Sequence, residues 1–308
     1  MTGDLRDQIG DPSQIASVRH LRFDSGPAAG ERLIEVRNAV GLCVNLLPDR
    51  CLDLGQVWMK GVPFSWMGQP ALPSIRTGAS LDTALGGLMA TCGFDHIRQP
   101  ETHDGISYPL HGSMCLHPVD SVTVEPTQIG EPIVLHAQMV RTGANGARYM
   151  LDRRIAVDYH KPCIAIEDIV ETQPGHAIMA LYHINLGYPL IGPDMKVIGF
   201  DAANLPREAS VTECYPAASA ADKVLFQRQI GQTSLKLGVA FESSTLPFLQ
   251  IHTRTAPGSN LICLEPATHD RQPRAHSLNG QPQPTRKRFQ LKIDLEVTTD
   301  GGRTEHQL

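Results

Sequence analysis

In the stretch Phe289-Gln290-Leu291-Lys292-Ile293-Asp294-Leu295-Glu296-Val297, apolar and polar residues exchange at every step. Successive side chains of an extended chain point to opposite faces, so this pattern predicts a β-strand with one dry and one wet face. Less regular runs of the same kind predict strands at 32–36, 42–47, 119–124, 133–140, 149–158, 163–170, 178–183, 234–241, 248–252 and 261–264. Gly-containing or Pro-containing turns at 142–146 and 160–162 predict two antiparallel hairpins in mid-chain. Helical periodicity is weak, its best instances being 80–88 and 217–221, and neither is long enough to cover a sheet. The expected fold is therefore all-β, a large antiparallel β-sandwich, and an α/β arrangement is disfavoured.

The chain of 308 residues, 41% hydrophobic and punctuated by 27 Gly and 23 Pro, is read as one folded domain spanning 1–308. A net charge of −5, with Arg286-Lys287-Arg288 as the longest basic run, excludes the basic stripe that nucleic acid requires. No stretch reaches the apolar length of a membrane span, and residues 1–10 lack an apolar leader core, so no membrane partner and a cytoplasmic location are expected. Seven scattered cysteines without a Cys-x-x-Cys pair suggest neither a zinc knuckle nor a redox pair, and Cys163 and Cys263 read as buried fillers. Exposed edge strands leave a homodimer open.

Two stretches, 67–118 and 266–284, are dense in Gly, Pro, His and charged residues and read as long irregular segments of functional type. The first contains Gly86-Gly87-Leu88-Met89-Ala90-Thr91-Cys92-Gly93-Phe94-Asp95-His96 and then Tyr108-Pro109-Leu110-His111-Gly112. Further on, Tyr182-His183-Ile184-Asn185-Leu186-Gly187-Tyr188-Pro189 closes one apolar strand and Leu261-Ile262-Cys263-Leu264-Glu265-Pro266 closes another. In their order along a β-rich chain, these motifs resemble the galactose mutarotase-like superfamily, in particular its uncharacterised aldose 1-epimerase-like branch, over residues 32–298.

The resemblance implies a galactose mutarotase-like supersandwich, a small-molecule carbohydrate as partner, no cofactor and no metal. It also implies an aldose 1-epimerase or related sugar epimerase. In such an enzyme a carboxylate takes the proton of the anomeric hydroxyl while a histidine protonates the ring oxygen. By that resemblance Glu265 is the base, His183 the acid and His111 a second imidazole near the ring oxygen. The chain departs from the galactose mutarotase pattern His-x-Tyr-x-Asn-Leu in that Tyr182 precedes the histidine and Asn185 follows it by two, and it has Pro266 after the carboxylate where that family usually has polar residues.

The residues can also be read on their own chemistry. Four apolar residues precede Glu265, so its carboxylate stands where a buried strand emerges and desolvation favours its protonated form. The alternative is a structural carboxylate paired with Arg50 or Arg271. Asn185 falls on the same strand face as His183, whose alternative role is that of a hydrogen-bonded core residue. Beside His111, Gly112 permits close backbone approach, or simple turn chemistry. Arg50 and Asp53 could grip sugar hydroxyls or form a solvated ion pair in a turn, and Asp95 and His96, set among glycines, join Asn185 as expected substrate-binding residues. Trp58 and Trp66 could stack on a pyranose or fill the core.

Two other function classes use the same residues. A non-catalytic carbohydrate-binding module would need only Arg50, Asp53 and Asn185. A metal-dependent sugar isomerase or lyase would draw on His96, His103, His111, His183 or His269 with Glu265, although no compact His-x-x-x-His spacing supports it.

Overall fold

The computed structural model describes residues 8–69, 72, 85–201, 205, 211–254, 256–280 and 282–299. Along the chain, β1 (Ser17–Arg22), β2 (Arg32–Arg37), β3 (Leu42–Leu47), β4 (Asp53–Met59), β5 (Val62–Pro63) and β6 (Met89–Phe94) start a first sheet. A separate short hairpin follows, β7 (Glu101–His103) with β8 (Ile106–Tyr108). Strands β9 (Ser121–Val124), β10 (Ile133–Thr142), β11 (Arg148–Val157) and β12 (Cys163–Thr172) form a meander in a second sheet. From there the chain alternates. Strands β13 (Met179–Leu186), β15 (Val211–Pro216), β18 (Phe248–Arg254) and β19 (Leu261–Ala267) return to the first sheet, while β14 (Lys196–Ile198), β16 (Lys223–Ile230), β17 (Thr233–Phe241) and β20 (Arg286–Thr299) join the second.

Among the described residues the first sheet runs β1-β2-β3-β4-β6-β13-β19-β18-β15, with β5 on β4, and the second runs β14-β16-β17-β20-β12-β11-β10-β9. The pairings within both are antiparallel. The alternating stretch lies in β20, whose buried Phe289, Leu291, Ile293, Leu295 and Val297 join a core shared with Ile34, Val44 and Leu46 of the opposite sheet. Apolar burial at about 25 cal/mol per Å² drives the sheets together. Both expected hairpins form, Gly143 N–H donating to Ala147 O at 2.9 Å and Asp158 N–H to Cys163 O at 3.0 Å.

An ionic network crosses between the sheets. Arg153 of β11, only 1% exposed, donates through all five N–H groups: Nε and Nη2 fork onto Asp168 of β12 at 2.8 and 2.7 Å, and the rest reach Asp53 Oδ1, Cys51 O and Thr91 Oγ1. Tyr182 of β13 donates its hydroxyl to Asp168 Oδ2 at 2.6 Å. Matching its charge and every donor offsets the cost of burying this guanidinium.

Residues 67–118 are not irregular throughout: β6 lies at the centre of the first sheet, between β4 and β13. All six of its residues are buried, so the alternation that marks a half-wet strand is missing from its sequence. The same holds for most of β4, and β1, β15 and β16 are likewise strands that alternation alone passed over. Segment 266–284 carries the one-turn helix α1 (Arg274–Leu278), and 217–221 holds a 3-10 turn at Ala217–Ser219. The expected helix at 80–88 lies largely outside the described residues. Among those described, no helix is long and apolar enough to cross a membrane.

Candidate functional site

Strand β13 is buried on both faces. Ala180, Tyr182, Ile184 and Leu186 face the core between the sheets, while Met179 and Leu181 belong to a second apolar cluster on the outer face. That outer face continues to His183 and Asn185. The register pairs Ile184 with Leu264 and Asn185 with Cys263, so His183 comes level with Glu265 of β19. Strand β18 adds Gln250 opposite Glu265 and His252 opposite Cys263, and Thr212 of β15 stands opposite His252. One polar stripe thus crosses four neighbouring strands and floors a cleft of about 370 Å³, a volume within the range of small-molecule sites. Its walls include Trp66, Leu85, Arg98, His111, Arg254 and Arg271.

Hydrogen bonding fixes the histidine. Asn185 Nδ2 donates to Leu85 O at 2.7 Å, which turns its Oδ1 toward His183, and His183 Nδ1–H donates to that oxygen at 2.5 Å. Nε2 is left facing Glu265 Oε1 at 3.2 Å. A proton on Nε2 would be donated to Oε1, and a proton on Oε1 would be donated to Nε2. Burial raises the Glu265 pKa, and the charges of His183 and Arg271 oppose that rise. Arg271 donates to Gln250 Oε1 at 3.1 Å, and among the described residues the ion-pair partner of Glu265 is His183 rather than an arginine.

His111 stands edge-on to His183, ring centroids 5.6 Å apart. Burial, reinforced by nearby His183 and Arg271, lowers its pKa to about 3, so its ring is neutral in ordinary buffers, and its buried Nδ1 has no hydrogen-bond partner. The backbone explains its position. His111 accepts from Gly93 N–H at 2.9 Å and donates to Arg98 O at 2.7 Å, and at Gly112 (φ +81°) a Cβ would overlap the carbonyl oxygens of His96 and Gly93. Only glycine lets this turn lie so close against β6.

Glu265, His183, His111 and Asn185 are therefore brought together, whereas four other expected binding residues are not on the cleft wall. Asp53 lies between the sheets, where both its oxygens accept from Thr91 and one also from Arg153. Arg50 is buried beside Glu31, Asp53 and Asp49. Asp95 binds Ser113 N–H, Ser113 Oγ–H and Ala144 N–H, fastening two loops. His96 pairs Nε2 with Gln99 O at 2.7 Å and packs against the Tyr108 ring. Of the tryptophans, Trp66 lines the cleft, its Nε1–H donated to Ser259 O, while Trp58 lies on β4 away from it.

Sequence reasoning passed over Arg98, His252 and Arg254. The period-two polar set Gln250, His252 and Arg254, alternating with Leu249, Ile251 and Thr253, was a legible signal; Arg98, set in a loop, had none. His183, Cys263 and Glu265 also form the one group among the described residues whose donor atoms could converge on a metal, lying within 4.8 Å of one another. Zinc accepts such donors. Here, however, burial and the Glu265 charge push the Cys263 thiol up, away from the thiolate a metal takes, and its S–H is directed to Asn185 Oδ1.

No curated protein matches the chain. Among solved structures, a candidate aldose 1-epimerase from Klebsiella pneumoniae subsp. pneumoniae MGH 78578 aligns with 18% identity and a TM-score of 0.71 over 91% of this chain and 83% of its own. A candidate mutarotase from Salmonella typhimurium aligns with 14% identity and a TM-score of 0.60 over 96% and 100%. Galactose 1-epimerase from Lactobacillus acidophilus NCFM aligns with 12% identity and a TM-score of 0.56 over 92% and 99%. At these identities the likeness establishes the fold, the galactose mutarotase-like β-sandwich. Residues 28–213, more than half of the chain, match the family described as a domain of unknown function, DUF4432, and the chain belongs to that family.

Proposed function

We propose that the chain is an aldose 1-epimerase-type isomerase working by acid–base chemistry in the cleft. The observation that carries this reading is the His183–Glu265 pair, Nε2 to Oε1 3.2 Å, with Nδ1 held by Asn185. The anomeric hydroxyl and the ring oxygen of an aldose are bonded to the same carbon, so the base and acid that serve them must be near neighbours. This pair meets that requirement.

Starting from carboxylate and imidazolium, Glu265 accepts the anomeric O–H proton as His183 Nε2–H protonates the ring oxygen. The C1–ring-oxygen bond breaks, its electron pair staying on oxygen, and C1 becomes an aldehyde. Rotation about C1–C2 presents the other carbonyl face, and ring closure reverses both transfers. Ring opening leaves the pair as carboxylic acid and neutral imidazole and ring closure restores carboxylate and imidazolium, so the buried site keeps the same net charge throughout. His111, neutral, can hold a hydroxyl but cannot deliver a charge. The epimerases and mutarotases that share this fold support the same reading. The test is exchange NMR on a panel of free aldoses, in which catalytic amounts of the protein accelerate α/β interconversion of at least one; no acceleration with any sugar overturns the proposal.

A further inference from the structure

Cys92 Sγ and Cys115 Sγ lie 4.0 Å apart in the apolar cluster on the outer face of the first sheet, among Ile97, Leu116, Met179 and Leu181. They are 23 positions apart in sequence, a spacing that no short motif marks. The backbone brings them together. Cys92 lies on β6, and the turn after His111 folds back over that strand: Gly93 N–H donates to His111 O at 2.9 Å and Met114 N–H to Gly93 O at 2.8 Å. The residue after Cys92 is thus bonded to the residue before Cys115. Two other buried thiols have different partners, Cys51 S–H donating to Met114 O at 3.0 Å and Cys263 S–H to Asn185 Oδ1 at 3.4 Å.

A disulfide holds its sulfurs about 2.05 Å apart, so closing this pair draws both side chains inward. In a close-packed interior such a shift is passed to the backbone on either side. On one side is the turn that carries His111, whose ring stands edge-on to His183. On the other is β6, where Ala90, two residues before Cys92, is paired with His183 itself. The sulfur pair therefore joins the two segments that flank the histidine of the cleft.

We propose that Cys92 and Cys115 are an oxidation site, closed to a disulfide by a peroxide, and that closure displaces His111 from its place beside His183. Cys115, 7% exposed, reacts first: its Sγ attacks one peroxide oxygen, an S–O bond forms, the O–O bond breaks and the other oxygen leaves as water. Cys92 Sγ then attacks the resulting sulfenic acid, the S–S bond forming as the S–O bond breaks and a second water leaves. Two thiols give up two hydrogens and one peroxide is reduced to two waters. Cys92 comes second because it is fully enclosed and burial pushes its thiol up, away from the reactive thiolate. The oxidation site stands apart from the sugar reading above; only its effect on turnover rests on that reading.

The test treats the full chain with hydrogen peroxide, caps the remaining thiols with iodoacetamide and digests without reductant. Trypsin cleaves between the two cysteines at Arg98, so the expected product is peptide 77–98 linked to peptide 99–141, separated by dithiothreitol. With the link formed, the His111 imidazole resonance, assigned by its loss in His111→Gln, should shift. Turnover of any aldose that the reduced protein interconverts should fall about tenfold or more, and dithiothreitol should reverse both changes. Cys115→Ser should keep the reduced protein's turnover and lose its sensitivity to peroxide; should it fail to fold, Cys92→Ala serves instead. The absence of a link, a link through Cys51, a His111 resonance that the link leaves in place, unchanged turnover in a protein active when reduced, or equal peroxide sensitivity in the variant overturns the proposal. A link and a shifted resonance in a protein that interconverts no sugar would sink the epimerase reading and leave the oxidation site standing.

Discussion

His183 and Glu265 stand level on adjacent antiparallel strands with Nε2 3.2 Å from Oε1, so two residues 82 positions apart in sequence come within hydrogen-bond distance. Replacing Glu265 by Gln keeps volume and hydrogen-bonding capacity but removes basicity. Interconversion should slow by about 100-fold to 10,000-fold, about 3 to 5 kcal/mol of barrier, with sugar binding retained. His183→Gln should cost a similar factor, and the double variant should fall well short of the product, because the pair acts as a unit. Exchange NMR on variants of unchanged melting temperature measures this; near-normal turnover in Glu265→Gln would make the carboxylate structural and favour a binding module.

The acid limb of the rate profile reports the same group. Burial raises the Glu265 pKa above its ordinary 4.5, so the basic form, and with it activity, is lost as pH falls through a value higher than 4.5. Arg271 opposes the rise, so Arg271→Gln should move the limb further up. A limb that stays in place or moves down would show that Arg271 does not act on the base.

Chelation should leave activity unchanged, since protons rather than a Lewis acid carry the charge development. Loss on exhaustive chelation, restored by one divalent ion, would promote His183, Cys263 and Glu265 to metal ligands.

Arg153→Met removes the cation from a buried cluster and leaves Asp53 and Asp168 uncompensated between the sheets. The expected destabilisation is about 3–5 kcal/mol. Chemical denaturation midpoints measure it, and a loss below about 1 kcal/mol would mean that water reaches the carboxylates.

His269 sets a pH window for stability. Burial, aided by the charges of Lys287, Arg98 and Arg274, lowers its pKa to about 3 from an unfolded value of 6.5, so the unfolded chain binds this proton first. Its contribution is complete above pH 6.5 and is lost as pH falls toward 3, by up to about 2 kcal/mol between pH 6.5 and 5. Denaturation curves at both pH values should show this fall, and His269→Gln should flatten it; an unchanged slope in the variant would assign the effect to other groups.

The sequence by itself determined the all-β class, because strands with one wet face, above all β20, write their period into the residue order. It also marked Glu265 and His183, each at the end of an apolar run. Tertiary structure alone decided the rest. Strand β6, buried on both faces, shows no period, and only its neighbours identify it as a strand at the centre of the sheet. Asp53 looked like a turn residue fit to grip a sugar, yet Arg153, 100 positions away, holds it between the sheets. Arg98 carried no local signal, since a loop arginine reaches the cleft wall only once the chain has closed.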